Sequence, residues 1–294
     1  MKRKHKKILT TILIILVLIF HSIDKPNNES NSIKTDNDIK EDLKIYFLDV
    51  GQADSILINI KDKTMLIDAG NNSDGKLLSN YIKNDLNIST IDILVGTHPH
   101  EDHIGGLDDI IENFNINEVY MPEAISTSKT FEDVLDAIEA KELEITIPEE
   151  NEKFSLDEGV FQVISTGTGE SDLNDSSIVL KLTYKEIDYL FTGDATSKVE
   201  RKILNKNIEA DVLKVGHHGS KYSTTDSFLS KVKPKYAIIS CAKENSYGHP
   251  HIETLNLLKE KNIETYLTSE LGTILLTSDG TNIKITNMKT NTNG

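Results

Sequence analysis

Apolar residues recur along this chain in short runs that are bounded by polar turns, and longer segments between these runs have a helical period. In the first half of the chain the pattern predicts strands and helices in alternation. The strands are predicted at 43–48, 55–60, 64–67, 91–95, 118–121 and near 145, and the helices at 75–86, 105–114 and 129–141. This alternation predicts an α/β fold.

The second half of the chain repeats the pattern of the first. Residues 177–182 and 189–195 resemble 55–60 and 65–70, and in both pairs the second run ends at an aspartate beside a glycine, Asp68 or Asp194. Helices follow at 197–204, 225–232 and 252–261, and strands at 211–215, 236–240, 273–277 and 282–286. Two such halves predict two sheets packed face to face with helices outside, a four-layer αββα sandwich.

The N-terminal residues have a different composition from the rest of the chain. Residues 1–7 are basic and 8–20 are apolar without interruption, which predicts a membrane signal or anchor at 1–23. No small-x-small cleavage site follows, which favours an uncleaved anchor. Residues 24–41 are polar and aperiodic and predict a tether. We therefore expect the folded domain, 42–294, on the extracellular side of the cytoplasmic membrane, anchored or secreted.

The charge of the domain restricts its partners. The first seven residues hold five of the 32 Lys and Arg residues, so the remainder has 27 positive against 47 negative side chains, a net charge of −20. Such a surface repels extended polyanions and disfavours a long nucleic-acid footprint. A small phosphate ester held by metal ions remains compatible with it. Cys241 is the only cysteine, which rules out an intrachain disulfide.

Histidines mark the candidate chemistry. The seven histidines beyond the N-terminal segment form three clusters, each directly after an apolar run. Structural histidines scatter through a sequence, whereas metal ligands gather at strand ends, so the clusters predict metal binding. The alternative is a set of polar loops that are rich in histidine. The clusters are His98, His100 and His103, then His217 and His218, then His249 and His251.

The first cluster, His98-x-His100-x-Asp102-His103, resembles the signature of the metallo-β-lactamase fold superfamily of two-metal hydrolases. More narrowly, seven segments resemble, in the family's order, the soluble domain of ComEC-type DNA-uptake competence proteins and their free-standing relatives. These segments are 49–55, 66–70, 97–106, 174–180, 192–194, 214–220 and 247–250. The resemblance covers about residues 43–287 and implies the metallo-β-lactamase fold.

The resemblance implies a ligand set for two divalent ions, Zn²⁺ or Mn²⁺. The first ion would be bound by His98 and His100, the second by Asp102, His103 and one of the neighbours His217 and His218, and both by Asp194. Asp68 would support the histidine loop by hydrogen bonding. Two such ions can hold a hydroxide and polarise a phosphoryl or acyl oxygen.

One departure from the superfamily concerns the first ion. Many members supply a further histidine from the loop before the second hairpin, but residues 174–177 contain none. An oxygen of Asn174 could take that place, and a site richer in oxygen shifts the preference from Zn²⁺ towards Mn²⁺.

The implied function is an exported metal-dependent hydrolase, a phosphodiesterase or nuclease whose substrate is a phosphate ester, with DNA as one candidate. Asp102 and His249 are the catalytic candidates, and His249, Ser220 and Asn174 the substrate-binding ones. His249 would contact a phosphate or protonate a leaving group; the alternative is a loop histidine bonded to backbone. His251 is predicted at the surface or at a helix start. The sequence indicates no protein partner.

The residues disfavour two other functions and leave a third open. Zinc β-lactamases use a cysteine ligand where His103 stands, and di-iron members of the superfamily carry Glu at the position of His100, so both classes are disfavoured. A tethered binding or sensing module with a metal-poor site is the main alternative, because the histidine before Ser177 is missing.

Overall fold

The structure is a computed structural model that describes residues 42–288. The predicted membrane segment at 1–23 and the tether at 24–41 lie outside the described residues. Between residues 42 and 288 no helix has the length and apolar character needed to cross a membrane. The domain predicted to begin at residue 42 enters its first strand at Leu43.

The first half of the domain follows the predicted alternation of strands and helices. Its elements are β1 (Leu43–Phe47), β2 (Ile56–Ile60), β3 (Lys63–Ile67), α1 (Gly75–Asn80), β4 (Thr90–Val95), α2 (Glu101–Ile104), α3 (Leu107–Asn113), β5 (Asn115–Tyr120), α4 (Lys129–Ala140) and β6 (Ile145–Thr146). Helix α1 continues through Tyr81–Asp85 as a wider π-helical turn.

The second half contains a hairpin and a strand that the pattern did not predict, β7–β8 and β13. Its elements are β7 (Lys153–Leu156), β8 (Gly159–Ser165), β9 (Val179–Tyr184), β10 (Ile187–Phe191), α5 (Ser197–Ile203), β11 (Val212–Lys214), α6 (Asp226–Val232), β12 (Tyr236–Ile239), α7 (Ile252–Glu260), β13 (Glu264–Leu267), α8 (Thr268–Leu271), β14 (Thr273–Ser278) and β15 (Ile283–Met288). Short 3₁₀ turns lie at Asn174–Ser176 and Gly216–Gly219.

The strands form two sheets. One has the order β15-β14-β1-β2-β3-β4-β5-β6, and the other has the order β13-β12-β11-β10-β9-β8-β7. Apolar side chains from both sheets share one central core, which includes Phe47 and Ile58 from the first sheet and Phe161 and Leu182 from the second. A further core lies between each sheet and the helices that cover its outer face. This arrangement agrees with the predicted four-layer αββα sandwich, in which apolar residues on both faces of the strands are buried.

The predicted internal repeat is present in the topology. In each sheet an antiparallel hairpin, β2–β3 or β9–β10, is followed by a parallel pair, β3–β4 or β10–β11. The carboxyl ends of parallel neighbours lie at the same edge of a sheet, where α/β proteins place their chemistry. Asp68 follows β3 and the first histidine cluster follows β4, while Asp194 follows β10 and His217 and His218 follow β11.

The helix predicted at 105–114 is α3, and a separate helical turn that was not predicted, α2, precedes it. Helix α2 begins one residue after His100 and ends at Ile104, and α3 begins at Leu107, so Asp102 and His103 lie on a helical turn and not in an open loop. Gly105 lets this turn pack closely against the loop after β3, because a Cβ atom there would lie 2.3 Å from the backbone nitrogen of Asn72.

Candidate metal centre

The loop that follows β4 is held by Asp68. The Thr97 backbone N–H donates to Asp68 Oδ1 at 2.8 Å, and the Thr97 hydroxyl donates to Asp68 Oδ2 at 2.7 Å. His100 then adopts an extended conformation, with φ −90° and ψ 150°, before α2 begins. The sharp change from extended chain to helix turns Asp102 and His103 towards the second sheet.

Four side chains from both halves of the domain meet at this point: Asp102, His103, Asp194 and His218. We call them the donor cluster, because one potential ligand atom from each lies within 4.8 Å of all the others. His103 Nε2 is 3.3 Å from Asp194 Oδ1, and His218 Nε2 is 3.3 Å from Asp102 Oδ2 and 3.7 Å from Asp194 Oδ2. Tetrahedral ligands that lie about 2.1 Å from one ion are about 3.4 Å apart, so these spacings suit a single divalent cation.

Unpaired polar atoms in the donor cluster provide an independent test of this fit. His103 Nε2, Asp194 Oδ1 and His218 Nε2 are buried and make no hydrogen bond. A buried polar atom without a partner costs about 1–3 kcal/mol. Three such atoms that face one another are explained by a cation that all three bind, so the residues fit the metal that the sequence predicts.

The outer nitrogen of each imidazole is also fixed. His103 Nδ1 donates to Asp68 Oδ2 at 2.7 Å, and His218 Nδ1 donates to the Ser240 carbonyl oxygen at 3.0 Å. Each ring therefore presents Nε2 to the donor cluster, an arrangement that orients metal-binding histidines and raises their basicity. The supporting role predicted for Asp68 agrees with this geometry.

Charge in the donor cluster favours cation binding. Burial alone would raise the pKa of Asp194, but the adjacent His103 and His218 hold that pKa well below its usual range. Burial lowers the pKa of His103, but the carboxylates of Asp194 and Asp68 raise it by more. The pKa of His103 is therefore well above its usual value. A divalent cation would therefore replace a proton on His103.

The predicted ligands of the first ion, His98 and His100, lie beside the donor cluster, but their ring nitrogens do not point to one common position as those of the donor cluster do. His98 is fully buried, and its Nε2 lies 3.0 Å from His100 Nδ1 and 3.9 Å from Asp194 Oδ2. Its Nδ1 lies 3.1 Å from the Thr97 hydroxyl and 3.4 Å from the Ser177 hydroxyl. Asn174, the candidate oxygen donor, has a buried Oδ1 that makes no hydrogen bond.

The structure separates His217 from His218, which the sequence could not do. Both follow β11 in the left-handed region, with φ values of 50° and 52°. Two consecutive non-glycine residues there are strained by roughly 1–3 kcal/mol each, which is typical of functional sites. His218 is buried in the donor cluster, whereas His217 is 24% exposed and has its Nε2 3.6 Å from Asp194 Oδ2.

A cavity of about 360 Å³ lies over the donor cluster and is open to solvent. We call it the site cavity; the predicted site residues on its wall are His100, Asp102, Asn174, Asp194, His217, His218 and His249. Ser220, a predicted substrate-binding residue, is not on this wall: it is buried, and its hydroxyl accepts a hydrogen bond from the Tyr222 N–H at 3.3 Å. His251 occupies the N-cap position of α7, at the helix start as predicted, and its side chain accepts a hydrogen bond from the Lys221 N–H.

His249 is oriented by Gln52, a residue that was not predicted to belong to the site. The Gln52 Oε1 accepts a hydrogen bond from the Ala242 N–H at 3.2 Å, which places its amide nitrogen 3.4 Å from His249 Nδ1. His249 Nδ1 is therefore an acceptor, and the neutral ring carries its proton on Nε2. Burial and the neighbouring His217 and His218 lower the pKa of His249 to about 4.

A buried ion pair lies beneath the donor cluster and was also not predicted. Lys214 Nζ donates to Asp54 Oδ2 at 2.7 Å, and both side chains are almost fully buried. Asp54 Oδ1 lies 3.5 Å from His218 Nδ1, and the Asp54 N–H donates to the Asp102 carbonyl oxygen. A lysine in the apolar strand β11 is the sequence signal that could have revealed this pair.

The sequence matches known proteins over most of the domain. The profile described as Metallo-beta-lactamase superfamily matches residues 48–243. ComE operon protein 3 of Bacillus subtilis (strain 168) is 34% identical over 190 residues, which are 64% of this chain and 24% of that protein. Recombination protein 2 of Haemophilus influenzae is 26% identical over 253 residues, 84% of this chain and 28% of that protein. The chain thus spans about a quarter of the length of these relatives.

A solved structure with the same fold is that of the metallo-beta-lactamase fold protein YhfI from Bacillus subtilis. The two structures match with a TM-score of 0.53 at 12% sequence identity, over 81% of this chain and 100% of the YhfI chain. This likeness shows the fold alone. The profile match, the relatives, the two-sheet fold and the donor cluster agree, and the chain belongs to the metallo-beta-lactamase superfamily.

Proposed function

We propose that this chain is a metal-dependent phosphodiesterase that acts on nucleotides or on the ends of nucleic acids. The donor cluster is the observation that carries the proposal, because its three unpaired buried atoms face one another and two of their residues, Asp194 and His218, line an open cavity. One matched relative is named Recombination protein 2, which supports a substrate related to DNA. The net charge of −20 on the residues after the first seven favours a short substrate over a long strand.

The donor cluster would hold one ion, and His98, His100 and Asp194 would hold a second, with Asn174 as an oxygen donor. This mixture of imidazole and carboxylate ligands suits Zn²⁺ and Mn²⁺. Bound divalent cations supply the Lewis acidity that polarises a phosphoryl oxygen and activates water.

Asp102 is the candidate proton acceptor. Its carboxylate is 30% exposed and lines the site cavity, so it contacts both the donor cluster and entering solvent. Its backbone carbonyl accepts from the Asp54 N–H at 3.0 Å, which fixes the start of the turn that carries it. An oriented carboxylate at this position can take the proton of an attacking water molecule.

His249 is the candidate donor to the substrate. Because Gln52 bonds its Nδ1, the proton on Nε2 is free to bond a phosphate oxygen or the leaving-group oxygen. This role needs no change in the protonation of the ring. Asn174, across the site cavity, offers a second polar contact for the substrate.

A second candidate function is a tethered binding or sensing module with weak or no activity. It is favoured by one observation: His98 Nε2 and His100 Nδ1 face each other at 3.0 Å and do not converge with the donor cluster. Metal analysis after repletion with Mn²⁺ or Zn²⁺ separates the two candidates. The phosphodiesterase binds at least one equivalent, and the module binds almost none.

A substrate panel tests the reaction class. The panel comprises single-stranded DNA, a chromogenic phosphodiester, a phosphocholine ester, a thioester and a cephalosporin, each assayed with Mn²⁺ and with Zn²⁺. We expect turnover of the phosphodiester and loss of that turnover in Asp102→Asn and Asp194→Asn. Unchanged turnover in either variant, or a preference for the cephalosporin, would contradict the proposal.

We also propose that the domain lies on the extracellular side of the cytoplasmic membrane, through the segment predicted at 1–23. Protease added to intact cells should then digest the domain, while a cytoplasmic marker stays intact. Protection of the domain until the cells are lysed would refute this location.

A further inference from the structure

One side of the site cavity carries an exposed aromatic ring. The side chain of Tyr247 is 65% exposed, and its ring stacks on His249 with the ring centres 5.6 Å apart and the planes 21° from parallel. Tyr247 lines the same cavity as Asp102 and His218. One face of the phenol ring is thus covered by His249, and the ring is otherwise open to a planar group.

The loop that carries Tyr247 is fixed by Asn245. The Asn245 Oδ1 accepts hydrogen bonds from the Tyr247 N–H at 3.1 Å and the His249 N–H at 3.0 Å. Its amide nitrogen donates to the carbonyl oxygens of His249 at 2.6 Å and Ala242 at 3.1 Å. A binding surface that is already ordered loses little conformational entropy when a ligand binds. These four bonds therefore make Tyr247 a preformed contact surface.

Ring contacts connect this surface to the donor cluster. The His218 and His249 rings are 6.3 Å apart and nearly parallel, and the His249 and Tyr247 rings are 5.6 Å apart. A ligand whose phosphate lies at His218 and His249 can therefore extend to Tyr247 within the site cavity. The cavity volume of about 360 Å³ is in the range of small-ligand sites. In a nucleotide the planar base is one sugar away from the phosphate.

We propose that Tyr247 is a stacking subsite for the nucleobase next to the scissile phosphate, an inference that rests on the proposed phosphodiesterase function. Stacking on an aromatic ring tolerates every base, so the subsite would select nucleotides over other phosphodiesters without reading sequence. The side-chain carboxylate of Glu101, also on the cavity wall, adds to the acidic surface that disfavours a long polyanion. The selected substrate is then a nucleotide or a terminal residue of a strand.

The absence of tryptophan from the sequence permits a direct test. Tyr247→Trp in the full chain places a single tryptophan at the subsite and keeps an aromatic ring there. The matched control is Tyr222→Trp, because Tyr222 is also 65% exposed but lies outside the cavity wall. Both proteins are loaded with Zn²⁺ and titrated with thymidine 5′-monophosphate and, separately, with deoxyribose 5-phosphate.

Thymidine 5′-monophosphate should quench the tryptophan at position 247 saturably, whereas deoxyribose 5-phosphate should not, and the tryptophan at 222 should respond to neither. Equal responses of the two tryptophans, or equal effects of the two phosphates, would overturn the subsite. This titration measures binding alone, so it tests the subsite even if the proposed reaction is wrong.

A kinetic comparison tests the same residue during turnover. Thymidine 5′-monophosphate p-nitrophenyl ester and methyl p-nitrophenyl phosphate have the same leaving group and differ in the nucleoside. Tyr247→Ala should lower the ratio of their kcat/KM values about tenfold, and Tyr247→Phe should retain the ratio, because stacking needs the ring alone. An unchanged ratio in Tyr247→Ala would contradict the subsite. If the wild type hydrolyses neither ester, the proposed function fails and the fluorescence titration decides the subsite.

Discussion

Asp68 Oδ2 accepts a hydrogen bond from His103 Nδ1 at 2.7 Å, and the same carboxylate accepts two from Thr97. Asp68 therefore orients a ligand of the donor cluster and also fixes the start of the loop that carries it. The two residues are 35 positions apart and meet because β3 and β4 are parallel neighbours. Such outer hydrogen bonds control metal affinity almost as strongly as the ligands do.

Asp68→Asn should weaken binding of the divalent ion by about 10- to 100-fold, because one acceptor oxygen is replaced by an amide donor. Competition with a chromophoric chelator measures the affinity. Asp62→Asn is the control, because this substitution removes the same charge and Asp62 is exposed in the turn between β2 and β3. Equal affinities in the two variants would show that Asp68 does not orient His103.

His218→Ala and His217→Ala should differ in metal content. His218 belongs to the donor cluster and has no other partner for its Nε2, so its removal should cost one equivalent of bound metal. His217 is partly exposed at the cavity wall, and its removal should leave that equivalent in place. Elemental analysis of the dialysed proteins measures both. The reverse pattern would mean that His217 is the ligand.

Lys214→Met should lower the free energy of unfolding by about 3–5 kcal/mol, because it leaves the buried carboxylate of Asp54 unpaired. Adding Asp54→Asn should recover most of this loss, since both charges are then gone. Urea unfolding of the wild type, the two single variants and the double variant measures the coupling. If the losses of unfolding free energy in the two single variants add up to the loss in the double variant, the two charges do not stabilise each other.

Glu200 should make stability depend on pH. Burial raises the pKa of its carboxyl, and hydrogen bonds from Thr225 and Thr224 offset this only in part. The folded state therefore holds the proton more tightly than the unfolded chain, whose carboxyl titrates near 4.5. It follows that the free energy of unfolding falls as the pH rises from that value through the folded pKa.

Glu200→Gln should remove this decline, so its free energy of unfolding relative to the wild type should increase with pH over that interval. Urea unfolding at a series of pH values gives the difference, and Glu253→Gln, at an exposed position on α7, is the control. If the difference in unfolding free energy between Glu200→Gln and the wild type does not vary with pH, Glu200 has the same pKa in the folded and unfolded states.

Most of the fold was predictable because the strands on both sides of the central core are short apolar runs. Two of the exceptions, β7 and β13, have a common cause. Strand β7, at the edge of its sheet, buries only Leu156, and β13, at the opposite edge, is at most partly buried, so neither has an apolar run to detect. The helical turn α2 was not predicted, and its packing depends on the close approach of Gly105 to Asn72, a contact distant in sequence.

The site was predictable where its residues form local motifs and unpredictable where they meet across the two sheets. His98, Asp102 and Asp194 stand in recognisable segments. The convergence of His218, and not of His217, with the other residues of the donor cluster depends on backbone geometry after β11, and the position of Gln52 depends on a contact 197 residues away. Neither has a local sequence signal.

The central claim is that divalent ions in the donor cluster enable phosphodiester hydrolysis. Its most direct test is the turnover of thymidine 5′-monophosphate p-nitrophenyl ester by chelator-treated protein during back-titration with Mn²⁺ or Zn²⁺. We predict no turnover without the ion, a rise that saturates at one or two equivalents, and no rise in Asp194→Asn. Turnover that persists without metal, or metal that binds stoichiometrically without restoring turnover, would contradict the account.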